Sequence, residues 1–143
     1  MLVARAYTTH AAAGRERTFA VMIIRIASIV LSLAGILALI FGLVLWTGMA
    51  LNIISLHMLL GLLAVGALWV IGIGQALVRG GSWIIAACAV IVGALTGWLG
   101  MIQASLLVGD YHWIIQMIHL LLGVLTIGLG HMGAARYRRA AAQ

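Results

Sequence analysis

The sequence predicts an all-α membrane protein, an up-down-up-down four-helix transmembrane bundle built from a duplicated helical hairpin. Three observations carry that expectation. The 143 residues are 66% hydrophobic and only 7% charged, whereas soluble domains carry about a quarter charged residues. Four apolar runs, at about 21–45, 51–76, 83–108 and 113–132, reach the roughly 20 residues that a bilayer core requires. The second and fourth runs also repeat each other in sequence.

Composition excludes other classes. Disordered chains are polar, and this one is not. Pro is absent and Gly numbers 18, which suits closely packed membrane helices. The net charge of +6 comes from eight Arg set against Asp110 and Glu16. A basic balance can signal nucleic acid, but these Arg sit in short flanks of apolar runs. They therefore read as orientation signals, and no nucleic-acid partner is expected.

Taken in order, residues 1–20 form an N-terminal segment, 21–133 the four-helix transmembrane domain, and 134–143 a basic tail. Arg5, Arg15, Arg17 and Arg25 gather at the start of the first span. That span is too long for a signal peptide and lacks a small-x-small cleavage site; Met22 would open it as well as Met1 does. The turn at 46–50 carries no Lys or Arg. Arg79 lies between spans two and three, the turn at 108–112 is again free of Lys and Arg, and Arg136, Arg138 and Arg139 follow span four. By the positive-inside rule both termini are cytoplasmic in a prokaryotic inner membrane, and the two uncharged turns face outside. Trp46, Trp83, Trp98 and Trp113 stand at or near span ends, as interfacial anchors do. Short turns make successive helices antiparallel neighbours, so helices two and four are parallel and diagonal.

In the repeat, SLHMLLGLLAVG meets MIHLLLGVLTIG, pairing His57 with His119, Gly61 with Gly123 and Gly66 with Gly128. The first and third spans share the weaker pair Trp46-x-Gly48-Met49 and Trp98-x-Gly100-Met101. The hairpins have one orientation, which implies a pseudo-two-fold axis along the membrane normal. Each His lies about six residues, or ~9 Å, into its span from the outer side. Two imidazoles at one depth on diagonal helices are what a six-coordinate haem iron needs. His57 and His119 are therefore the candidate metal ligands. Gly61 and Gly123, at i+4 on the same faces, let a porphyrin lie against the backbone. Gly93, Gly97 and Gly100 form a row that accepts either a ring edge or a neighbouring helix.

A lone intramembrane His is more often a neutral ring bonded to a carbonyl; the matched pair favours ligation over that reading. Zinc is disfavoured because it takes four ligands with Cys or carboxylate companions. With no C-x-x-C-H, any haem b is non-covalent. His112, two turns outward of His119, is a candidate for the propionates, beside Tyr111, Trp113, Asn52, Ser55 and Thr47; the alternative is an interfacial His in a polar turn. Gln116 and Thr126 are candidates to line the haem or a quinone, although Thr126 can also bond its own backbone. His131 has no His partner at its depth, so a second haem needs a partner chain or Met132. His10 and the single Cys88 are assigned no role.

Residues 21–133, with His57/Gly61 and His119/Gly123 as the specific marks, resemble the four-helix b-type membrane cytochromes, which hold haem between His on facing helices. More weakly, GWLGMIQASLLVG and IHLLLGVL are similar to the third and fourth helices of one half of haem A synthase. That family's catalytic half carries a Glu and a His-Arg pair; here Met58 follows His57 and no acid is near. The resemblance thus implies haem binding and not oxygenating chemistry. The expected function is electron transfer between a quinone pool and a membrane or periplasmic redox subunit. The alternative is an accessory or anchor subunit of a larger respiratory or photosynthetic complex. A stand-alone enzyme is the less favoured reading, and a small cation exporter is excluded by the lack of an intramembrane carboxylate.

The orientation is testable by labelling intact cells with an impermeant maleimide in a Cys88→Ala background. Asp110→Cys should label from outside, and Gln143→Cys only after permeabilisation.

Overall fold

The computed structural model describes residues 2–142, with side chains from Arg15 onward except Glu16; the side chains of Arg5 and His10 lie outside the described residues. Four helices follow in order: α1 (Leu2–Trp46), α2 (Ile54–Ala76), α3 (Trp83–Ile102) and α4 (His112–Ala141). Short 3₁₀ turns, Leu51–Ile53 and Gln103–Ser105, enter α2 and leave α3. All four helices are long and apolar enough to cross a membrane, and no strand occurs among the described residues.

Helix boundaries depart from the apolar runs in two places. The third helix stops at Ile102 and its 3₁₀ turn at Ser105, not at 108. Residues 106–108 are apolar, but Leu107 (φ 45°) and Gly109 (φ 101°) turn the chain there. In the other direction, α1 starts at Leu2 within the 1–20 segment and α4 continues to Ala141 within the 134–143 tail. Those flanks hold Ala and Arg and no Pro, so nothing in them ends a helix. The tail is also tied down: Tyr137 is buried, and Arg136 Nε donates to the Gly80 carbonyl at 3.3 Å.

Each helix packs on its sequence neighbours, α4 closes back on α1, and α2 also packs on α4. The parallel pair α2 and α4 thus forms the inner diagonal, flanked by α1 and α3. The packed core lies in the half nearer the termini and the 77–82 turn, here called the basic end. It includes Ile24, Ala27, Leu31, Ala64, Leu68, Ile71, Ala89 and Tyr137. Small residues bring the helices together there. A Cβ on Gly130 would strike Leu31, one on Gly133 would meet Ile71 Cγ2 at 3.0 Å, and one on Gly72 would meet Ala89 Cβ at 2.5 Å. Helices in lipid gain no hydrophobic drive from meeting, so such close approach is what holds them.

The basic-end turn is locked by one buried amide. Gln75 Nε2 donates to the Gly72 and Ser82 carbonyls at 3.1 and 2.7 Å, and Ser82 N donates to Gln75 Oε1 at 3.2 Å. Every polar group of this side chain is satisfied, as burial demands. Ser82 then caps α3, its hydroxyl accepting from Ile85 N at 3.4 Å, and Gly80 (φ 77°) supplies the left-handed residue the turn needs.

Gly72→Ala should cost about 1–3 kcal/mol, because two backbones must separate. Gly66→Ala, whose Cβ meets nothing within 4 Å, should stay within about 0.5 kcal/mol. Reversible unfolding in mixed micelles measures both.

Candidate functional site

At the opposite end, where the 47–50 and 106–111 turns lie, α2 and α4 do not close on each other. They bound a cavity of about 540 Å³, within the size range of cofactor sites. The structure brings His57, Gly61, His112, Gln116, His119, Gly123 and Thr126 together on its wall. It adds residues that sequence reasoning missed, among them Ala38 and Gly42 from α1, and Thr96 and Gln103 from α3 and its 3₁₀ turn.

The two imidazoles face each other with ring centroids 6.2 Å apart and planes inclined by 69°. His57 Nδ1 lies 2.9 Å from the Ala38 carbonyl of α1. A carbonyl only accepts, so Nδ1 carries the proton and Nε2 the free lone pair. The ring also rests on Gly42, where a Cβ would lie 3.1 Å from His57 Cε1. On the other side, His119 rests on Gly100 of α3, where a Cβ would lie 3.0 Å from its Cε1. Each ring is thus seated on a glycine of the preceding helix. His119 Nδ1, however, is buried without a hydrogen-bond partner among the described residues.

The other glycines sort by what faces them. A Cβ on Gly61 or Gly97 would meet nothing within 4 Å, while one on Gly123 would touch Leu39 Cδ2 at 3.4 Å. These positions open onto the cavity. Gly93 instead receives the Trp69 indole and Val65. The third-helix row is therefore divided: helix packing at Gly93, cavity wall at Gly97, and a His seat at Gly100.

Polar groups mark both ends of the cavity. Towards the core, Thr96 donates to the Val92 carbonyl at 2.7 Å, and its Oγ1 lies 3.1 Å from Thr126 Oγ1. Thr96 has one hydroxyl proton and has spent it, so Thr126 donates to Thr96 and not to its own helix. Towards the turns stand Gln103, Gln116 and His112; His112 Nδ1 donates to the Leu106 carbonyl at 3.0 Å, leaving Nε2 as an acceptor.

Other candidates are not brought in. Thr47 Oγ1 bonds the Val44 carbonyl at 2.6 Å, and Asn52, Ser55, Tyr111 and Trp113 are exposed and off the cavity wall. His131 lies beside the packed half, 3.5 Å from Ser32 Oγ, and Met132 and Cys88 are exposed.

No group of three or more His, Cys, Asp or Glu comes together among the described residues. A bare metal ion would find two imidazoles and no further donors of these types. Two imidazoles complete a coordination sphere only where the ligand brings its own equatorial donors, as a porphyrin does. No protein-family model matches this chain, and no curated protein or solved structure is significantly similar to it.

Filling the open wall should stabilise the chain when no cofactor is added. Gly97→Leu should gain about 0.5–2 kcal/mol by occupying cavity volume, read as a higher thermal midpoint in detergent.

Proposed function

We propose that the chain is a membrane-embedded b-type cytochrome that holds one non-covalent haem b between His57 and His119 and transfers electrons. The observation that carries the reading is the 6.2 Å separation of the two ring centroids across a cavity of cofactor size. A metal–imidazole bond is about 2 Å, and a ring nitrogen lies about 1 Å from its ring centre. Two bonds and two half-rings sum to about 6 Å. An edge-to-face ring pair spans the same range, and what favours ligation is the cavity onto which both rings open.

The chain's own residues divide the work. His57 and His119 supply the axial donors, and the Ala38 carbonyl fixes the tautomer that leaves His57 Nε2 free. Gly61, Gly97 and Gly123 leave room for a flat ring. Gln103 and Gln116 offer amide N–H donors to propionates at the turn end, where His112 Nε2 accepts only from a protonated one, and the Thr96–Thr126 pair closes the other end. Bound haem supplies a one-electron couple, and two axial imidazoles suit electron transfer better than substrate chemistry.

An electron donor that travels in the bilayer, a quinol, can reach a cavity walled by apolar helices. The acceptor is a redox subunit docked at the surface nearer the cavity. The setting that fits is a prokaryotic inner membrane with both termini in the cytoplasm.

Oxidised and dithionite-reduced spectra of the purified chain, with a pyridine haemochrome assay, test this. A sharp reduced α-band at one haem b per chain is expected, and absence of a Soret band overturns the reading. Gly61→Leu should abolish haem uptake while leaving the helical circular-dichroism spectrum unchanged.

A further inference from the structure

The two histidines are alike in sequence and unequal in their surroundings. His57 is held at two points by α1: its Nδ1–H on the Ala38 carbonyl at 2.9 Å and its Cε1 edge on Gly42. The second hairpin reproduces the glycine seat, with His119 on Gly100, but not the hydrogen bond. Ala38 stands four residues before Gly42, and the residue four before Gly100 is Thr96. His119 makes no bond to it. The Thr96 hydroxyl is engaged with Val92 and Thr126 instead, and His119 Nδ1 remains buried without a partner among the described residues.

This difference has a chemical consequence. To offer Nε2 as a ligand, an imidazole must carry its proton on Nδ1. In His57 that N–H is already satisfied, which fixes the ring and raises the basicity of Nε2. In His119 the same tautomer leaves a buried N–H unsatisfied, which opposes ligation.

On the haem-binding reading, we propose that His57 is the permanent axial ligand and His119 an exchangeable one, so that the iron takes a small neutral diatomic gas on the His119 side. The exchange breaks the bond from iron to His119 Nε2 and forms one from iron to the gas. No electron or proton is transferred, and the released His119 ring swings away from the iron. The site then serves as a gas-responsive electron carrier, connected only while His119 is bound.

The test uses the haem-loaded full chain in detergent, reduced with dithionite, with carbon monoxide as the probe. The parent chain should bind carbon monoxide with loss of its low-spin α-band. Resonance Raman after photolysis should then show the iron–imidazole stretch of a hydrogen-bonded ring, which identifies His57 without any substitution. His119→Gly should keep its haem, become five-coordinate, and regain the low-spin spectrum with free imidazole. His57→Gly should lose most of its haem. A low-spin parent that excludes carbon monoxide, or equal loss of haem in both variants, overturns the inference and leaves the cytochrome reading standing. A parent chain that takes up no haem overturns both.

Discussion

At Gly130 and Gly133 the backbone of α4 receives side chains of α1 and α2 directly, with none of its own in between, and the form of the bundle follows from that approach. Leu31 occupies the place of a Cβ on Gly130, with Leu68 in contact beside it, and Ile71 crowds the place of one on Gly133. Helices surrounded by lipid gain nothing from hydrophobic contact with each other, so tight van der Waals packing carries the association. Here that packing is concentrated at one end. Gln75 and Ser82 close the same end with satisfied hydrogen bonds, and Arg136 ties the last turns of α4 to the loop at Gly80. The parallel pair α2 and α4 is thereby fixed where it meets, and the two helices are free to part where the histidines stand.

Much of this was legible in the sequence, and what was not has a physical reason. Hydropathy finds helices because the bilayer demands length and apolarity together. The His57–His119 and Gly61–Gly123 matches survive as signals because polar and glycine residues are conspicuous against Leu and Ile. The end of α3 was misplaced because residues 106–108 are apolar while their backbone turns. The helical flanks were missed because hydropathy registers charge, and an Ala- and Arg-rich segment stays helical regardless. Ala38 was beyond reach in principle, since a backbone carbonyl carries no residue-type signature. Gly42 was visible as a glycine but had no counterpart in the repeat to mark it. The Thr96–Thr126 bond joins residues on two helices whose relative rotation only the packing sets.

The site is inexpensive for the fold in a specific sense. A polar group within an apolar bundle must be satisfied or must face a cavity, and most of those here are committed to backbone carbonyls or to each other. His57, His112, Thr96 and Gln75 each have a partner. Among the described residues His119 Nδ1 is sealed without one, and its ring stands on the cavity wall. The two hairpins thus seat their histidines alike, each on a glycine of the preceding helix, and differ at Nδ1, where His57 has a partner and His119 has none among the described residues.

The uneven packing along the axis also bears on the electrical profile of the bundle. In an energised bilayer, voltage falls where the dielectric constant is lowest. Leu31, Leu68 and Ile71 are wholly shielded, and the Thr96 and Thr126 hydroxyl protons are both engaged, on the Val92 carbonyl and on Thr96 Oγ1. No hydroxyl proton of that pair is left to lead charge from the cavity into this plug. Moving one charge through 100 mV takes about 2.3 kcal/mol, and most of that drop would fall across the plug. A redox centre in the cavity would sit near the potential of the solution beyond the 47–50 and 106–111 turns. Its midpoint, measured against a partner on that side, should respond only weakly to the membrane voltage.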